Sequence, residues 1–265
     1  MNFELRVKDI TQYLETIAPL AYQENYDNAG LIVGYAETPV TGILLALDST
    51  EAIIDEAIAK GCNLVVAHHP IVFKGLKKLN GNNYIERTVI KAIKNDIAIY
   101  AIHTNLDNVS GGVNFMIAEK IGLQNVQILA KKNQNPEIGS GAVGHLTESM
   151  TASHFLSYLK TKMNLSVVRH TAIGENPISK VAVCGGSGGF LLNDAIMAQA
   201  DVFVTADYKY HEFFDADNQI LICDIGHYES EVFTKELLLR FLSKKFANFA
   251  VKLAQTNTNP ISYYH

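Results

Sequence analysis

Apolar residues along this chain come in short runs that stop at polar groups. These runs alternate with stretches whose apolar positions recur every three or four residues. Residues 3–18 have the spacing of an amphipathic helix, and Pro19 closes it. A polar loop over 24–30 leads into Leu31, Ile32 and Val33. The pattern then becomes regular: a strand over 43–48, a helix over 50–60 ended by Gly61, and a strand over 63–67. A helix over 86–95 and a strand over 97–102 follow, and a Ser110-Gly111-Gly112 turn opens a helix to about residue 121. The middle, 123–179, is more polar. Its most linker-like stretch is 131–136, a new strand begins over 140–144, 151–162 is helical and 166–170 is a short strand. After Lys180 the pattern returns, with strands over 181–184, 201–205 and 219–223. Between them lie a glycine turn over 185–189, a helix over 190–199 and a short helix or turn over 210–215, and a long helix over 228–246 ends the series.

Both halves therefore read strand, helix, strand, helix, strand, polar end, helix. Such alternation implies right-handed crossovers and sheets whose strands are mostly parallel and covered on both faces. The expectation is an α/β protein of two similar lobes, 1–125 and 126–265, facing each other across a cleft.

Composition narrows the function classes. The chain has 265 residues, 48% hydrophobic and 18% charged, with a formal net charge of -5. No clustered Lys and Arg face for nucleic acid is expected from that balance. No run approaches the length of a membrane span, and the first residues lack a cationic segment followed by an apolar one, so the expected location is cytoplasmic. Cys62, Cys184 and Cys223 are scattered without a CxxC pair and read as small core residues.

The polar strand ends carry the candidate chemistry, because ligand sites of open α/β sheets lie at the carboxyl ends of strands. The strand over 63–67 stops at His68-His69-Pro70. Pro70 holds His69 extended, so the two rings point to opposite sides and suit two neighbouring ions better than one. The plain alternative is a strand end whose histidines hydrogen-bond locally. Asp107 follows the third strand, with His103 four residues before it, and either bridges two cations or caps the next helix. His227 and Glu231 stand four apart at a helix start and so share a face, although acidic residues also favour that end of a helix for its dipole. Together His68, His69, Asp107, His227 and Glu231 supply three imidazoles and two carboxylates for two divalent ions. Donors of N and O alone fit Zn, Fe or Mn, with Co and Ni also compatible. Two ions roughly 3.5–4 Å apart acidify a bound water and clamp attacking and leaving oxygens, and their residual positive charge welcomes a small anionic or phosphorylated ligand. Gly185, Gly186, Ser187 and Gly188 are candidates for a phosphate-binding turn, with a plain tight turn as the alternative. His103, Asp207 and His211 are candidates for orienting ligands or carrying protons.

These motifs resemble the Nif-three-like dinuclear-metal-centre proteins, many of them named GTP cyclohydrolase I type 2 homologs. The resemblance runs through nearly the whole chain. It rests on Asp27-Asn28-Ala29-Gly30-Leu31, Ala46-Leu47-Asp48, Ala67-His68-His69-Pro70, His103-Thr104-Asn105-Leu106-Asp107 and Gly111-Gly112-Val113-Asn114. It continues through Cys184 to Gly188, Asp201 to Thr205 and Gly226-His227-Tyr228-Glu229-Ser230-Glu231. It implies that His68, His69, Asp107, His227 and Glu231 bind two metals in a cleft between two α/β lobes. It also implies a ring-shaped homohexamer. The paired ions and their residual positive charge point to a metal-dependent hydrolase acting on a nucleotide or other phosphorylated small molecule. A metal-handling protein without turnover is the alternative. Relatives with an extra domain of about a hundred residues between the lobes differ from this chain, which has only a connector. Ala206 stands where the family often has Gly.

Overall fold

The first helix is opened by a reciprocal contact at its start, where the Arg6 N–H donates to the Asp9 carboxylate at 2.7 Å. This helix, α1 (Val7–Ile17), buries Val7, Ile10 and Leu14 along one face. The computed structural model describes residues 4–133 and 135–264, so the start expected at Phe3 lies outside the described residues. Strand β1 (Gly30–Val33), β2 (Ile43–Ala46), α2 (Glu51–Ala59), β3 (Leu64–Ala67), α3 (Tyr84–Lys94) and β4 (Ala98–Ala101) follow. Thr50 and Asn83 cap α2 and α3 by accepting the N–H groups of Ile53 and Glu86. A four-residue helical turn, α4 (Thr104–Asp107), comes directly after β4.

The chain then builds α5 (Val113–Ile121), β5 (Gln124–Lys131), β6 (Gly139–Met150), α6 (Ala152–Met163), β7 (Arg169–His170) and β8 (Ile178–Ser187). Next come α7 (Leu192–Met197), β9 (Val202–Ala206), a 3-10 helix (Tyr210–Ala216), β10 (Leu221–Asp224) and α8 (His227–Glu231). Last are α9 (Thr234–Lys245) and β11 (Val251–Leu253). The expected long helix over 228–246 is thus two helices, parted at residues 232–233.

These elements form two compact units. One runs through Leu106 and takes in Thr234–Pro260, and the other is Asp107–Phe233 with the tail from Ile261. This corrects the expected division at residue 125, for two physical reasons. Helix α5 packs on β6 and β8 of the second unit. Strand β11 returns to pair in parallel with β2, bringing α9 with it.

The first unit's sheet has the order β1-β4-β3-β2-β11. Only the β1–β4 pair is antiparallel. Every residue of β2, β3 and β4 is buried, as befits parallel strands covered on both faces. Leu44, Val65 and Ile99 from the sheet meet Ile53 and Ile54 of α2 and Val89 of α3 in its core. The second unit's sheet has the order β5-β6-β8-β9-β10-β7. There β8, β9 and β10 are parallel, while β5, β6 and β7 pair antiparallel with their neighbours. Its core joins Ala182, Phe203 and Ile222 to Leu192 and Ala195 of α7. The two sheets share one arrangement: β4-β3-β2 with antiparallel β1 on its flank corresponds to β10-β9-β8 with antiparallel β7. No helix among the described residues is long and apolar enough to cross a membrane.

Leu44 is fully buried at the centre of the first sheet, whereas Leu31 on its edge is exposed. Leu44→Ala is expected to lower the unfolding free energy by about 2–5 kcal/mol. Leu31→Ala should cost much less, and urea denaturation monitored by circular dichroism measures both.

Candidate metal centre

In the first unit, the parallel register that sets Ala67 beside Ala101 also brings the residues after both strands together. The His68 and His69 N–H groups donate to Ala46 O at 3.2 Å and Leu47 O at 2.9 Å, carrying the ladder past the end of β3. His68 Nδ1–H donates to Ile102 O at 2.8 Å, and the ring is fully buried. His69 Nδ1–H donates to Asp48 Oδ1 at 2.8 Å, and His103 Nδ1–H donates to Asp27 Oδ1 at 2.8 Å. Carbonyl and carboxylate oxygens only accept, so these partners assign the proton to Nδ1 and the lone pair to Nε2 in each neutral ring. The ring centroids lie 4.9, 5.2 and 5.3 Å apart, and one ligand atom from each ring lies within 4.8 Å of the others. The Phe73 ring meets His103 edge-on at 5.5 Å.

The acids behind these rings are themselves held. Burial works to raise the Asp27 pKa, but His103 and Thr104 bond its carboxylate and keep it down at about 2. Burial likewise opposes the Asp48 carboxylate, yet His69 and the Thr258 hydroxyl at 2.6 Å hold it below the usual range.

In the second unit, His227 opens α8 and stands one turn from Glu231, with Nε2 3.0 Å from Glu231 Oε2. Its Nδ1–H donates to Asp207 Oδ2 at 2.7 Å. Asp207 takes a left-handed conformation (φ 58°) directly after β9, which turns its side chain out of the strand run. Burial alone would lower the His227 pKa, but Asp207 and Glu231 together push it up to about 11. Asp107 closes α4, and its backbone oxygen accepts from Asn114 Nδ2 at 3.0 Å. Burial, then the charges of Asp107 and Glu231, push the Cys184 thiol up, so it stays protonated beside two carboxylates.

The glycine-rich stretch has a different role from the phosphate turn considered above. Gly185, Gly186 and Ser187 are the last residues of β8. The N–H groups of Gly185, Gly186 and Gly188 donate to Asn114 Oδ1 (2.9 Å), Ser230 Oγ (2.9 Å) and Thr205 Oγ1 (3.1 Å). Those donors are engaged inside the unit and form no anion cradle. What the stretch provides is room. Gly186 has φ 58°, and a Cβ there would meet Glu231 Oε1 at 2.5 Å and His227 Cε1 at 3.1 Å.

Of the three orienting candidates, Asp207 holds His227, and His103 joins His68 and His69. His211 is set apart from both groups: it is exposed on the 3-10 helix, with ring contacts to Tyr210 at 5.1 Å and Phe214 at 6.3 Å. Ala206 is fully buried at the end of β9. Asp27 and Asp48 had no assigned role in the sequence reading. The signal for Asp48 was its place after β2, the strand beside β3.

The donor chemistry in each unit fits a divalent cation. The ligand atoms are imidazole nitrogens with the opposite nitrogen pinned, together with buried carboxylate oxygens. The model for the Duf34/NIF3 family (NGG1p interacting factor 3) matches residues 5–260. A Clostridium acetobutylicum protein named GTP cyclohydrolase 1 type 2 homolog is 34% identical, over 98% of this chain and 99% of its own length. Among solved structures, the Staphylococcus aureus protein SA1388 superposes with a TM-score of 0.91 at 30% identity, covering 98% of this chain and 99% of that one. A Bacillus cereus protein related to NIF3 gives 0.90 at 26% identity, with 98% and 99% covered.

Two outcomes follow from this geometry. Gly186→Ala must displace the His227–Glu231 pair, so it is expected to cost about 1–3 kcal/mol of stability. It should also bring the His227 pKa back toward its ordinary value, which NMR titration of the imidazole reads. In metal-free protein the raised His227 pKa adds stability that is complete below about pH 6.5 and lost as pH rises toward about 11. The gap in denaturation midpoint between the native chain and His227→Gln should therefore shrink between neutral and strongly alkaline pH.

Proposed function

The chain belongs to the Duf34/NIF3 family, and from that premise we propose that it is a dinuclear divalent-metal protein that hydrolyses a nucleotide or other phosphorylated small molecule. The observation that carries the reading is the pinned imidazole. His68, His69, His103 and His227 each donate Nδ1–H to a fixed oxygen, which leaves Nε2 aimed and unprotonated once a cation displaces the proton on His227. In this reading His68, His69, Asp107, His227 and Glu231 hold two ions, with Zn, Fe or Mn as the metals of choice for nitrogen and oxygen donors. A divalent pair supplies an acidified water and a clamp for substrate oxygens. His103 Nε2 takes a proton from the attacking water, and Asp27 stabilises the ring that gains it. Asp48 and Asp207 keep His69 and His227 in the ligating tautomer. With two carboxylates among five ligands, two divalent ions leave a charge of about +2, which favours a phosphorylated substrate. The name shared by the curated relatives makes a purine nucleotide the substrate to test first.

Elemental analysis of the native protein is expected to find two ions per chain, and His68→Ala and His69→Ala should each lose about one. Far fewer than two in the native protein would overturn the dinuclear reading. Asp48→Asn and Asp207→Asn, which leave every ligand in place, should weaken metal binding about 10–100-fold. Turnover is checked with the metal-loaded protein on a panel of nucleotides and phosphoesters. Two tightly held ions with no turnover would favour metal handling instead. The same reading includes a homohexamer, so light scattering coupled to size exclusion should give a particle of six chains, and a monomer would contradict it.

A further inference from the structure

The second unit carries another concave feature, at the opposite ends of its parallel strands from Asp207 and His227. Strand β7 pairs with β10 only through Arg169 and His170. Thr171 extends the pairing by one residue, donating its N–H to Ile222 O at 3.2 Å and accepting the Ile222 N–H on Oγ1 at 3.0 Å. Beyond it the chain leaves the sheet until β8 begins at Ile178. The space between this departing segment and the start of β10 is a cleft of about 880 Å³. That lies within the size range of small-molecule sites.

One wall is aromatic. Tyr210, Phe213 and Phe214 line the cleft from the 3-10 helix, and Tyr210 and Phe214 are 73% and 67% exposed. Phe213 is held in place, with the Arg169 guanidinium 5.1 Å from its ring centre and the Tyr208 ring at 5.2 Å. Asn176, Asn218 and Gln219 also line the cleft, each with a carboxamide side chain. Asp217 and Asn218 both have left-handed backbones (φ 42° and 57°), a conformation unfavourable for two side-chain-bearing residues in a row.

Of the charged side chains lining the cleft, Arg169 and Asp201 are already committed, and Asp217 adds an exposed carboxylate. Arg169 donates to Tyr208 O at 2.7 Å and pairs with Asp224 Oδ2 at 3.1 Å. Asp201 Oδ2 accepts the N–H groups of Ser179 and Lys180, both at 2.8 Å. No lysine is among the described residues that line the cleft, so a phosphate would find no uncommitted cation there. An aliphatic ligand would leave three carboxamides without a use.

We propose that this cleft binds an uncharged planar nitrogen heterocycle, a nucleobase or the base of a nucleoside. Its face stacks on one of Tyr210 and Phe214, whose rings stand at 76° to each other, and meets the other edge-on, while its edge is read by Asn176, Asn218 and Gln219. Aromatic side chains accept any flat ring, while a carboxamide offers a donor and an acceptor side by side and so matches the edge of a base. The site does not depend on His227 and Glu231, which follow the carboxyl end of β10.

The test titrates the full chain with adenosine and with guanosine, following calorimetry and saturation-transfer NMR, before and after chelation. Saturable binding that chelation leaves unchanged is expected. Phe214→Ala and Tyr210→Ala should each weaken it about ten-fold without moving the unfolding midpoint, since both side chains are exposed. Asn176→Leu should weaken adenosine or guanosine while leaving naphthalene, a flat ring with no polar edge, unaffected. Three results would overturn the proposal: no saturation with either nucleoside up to about millimolar concentration, loss of binding on chelation, which would assign the nucleoside to the metal centre, or naphthalene binding as tightly as the nucleosides.

Discussion

An imidazole offers its lone pair in one direction only when its other nitrogen is already held, and the candidate metal centre depends on that constraint. The groups that do the holding are Ile102 O, Asp48, Asp27 and Asp207. Ile102, Asp48 and Asp207 follow the carboxyl ends of β4, β2 and β9 closely, so the parallel ladders that build the two cores also set the direction of the rings. Asp27 comes instead from a loop. Its two bonds from Thr104 fasten that loop to the residue after His103, and so the acid and the ring it orients move as one piece.

The parts of this fold that were legible in the sequence are those whose signal is local. Strands β2, β3 and β4 are continuous apolar runs because both of their faces are covered, and the helices between them keep a 3.6-residue period. His68-His69 and the His227–Glu231 spacing were legible for the same reason. What escaped was decided at long range. Strand β5 is an edge strand with polar residues exposed on it, and β11 is only three residues long, so neither carries a clear period. Asp27 and Asp48 reach their histidines across 76 and 21 residues, a separation at which spacing says nothing. His211 lies close to Asp207 in the chain, but the 3-10 helix turns it outward among aromatic rings.

The glycine-rich end of β8 shows why composition alone misassigns such a stretch. A row of glycines can expose backbone N–H groups to an anion, or it can make room for side chains from elsewhere. Here the N–H groups of Gly185, Gly186 and Gly188 are satisfied by Asn114, Ser230 and Thr205, while Gly186 leaves space that Glu231 and His227 fill. Ser230 accepts from Gly186 and donates to His227 O at 2.8 Å, which ties the strand end to the helix that carries both candidate ligands. The same segment thus serves the metal centre by space and by anchoring, without touching a ligand of its own.

Charge gives a further reason to read both groups as cation sites. In the first unit Asp27 and Asp48, behind two of the imidazoles, are ionised, with pKa values held low. In the second, Asp207 and Glu231 flank one imidazole, whose raised pKa keeps a proton there to offset part of their charge. The ion-pair partners of Asp27, Asp48 and Asp207 are imidazoles, and the Arg169 charge also acts on Asp207. The lowered pKa values of all three show that these contacts stabilise the ionised carboxylates, so the acids stay charged at neutral pH. In the proposed reading a divalent cation would sit among these charges and take the place of the proton on His227. The ionised acids behind and beside the rings are then the charge that would attract it.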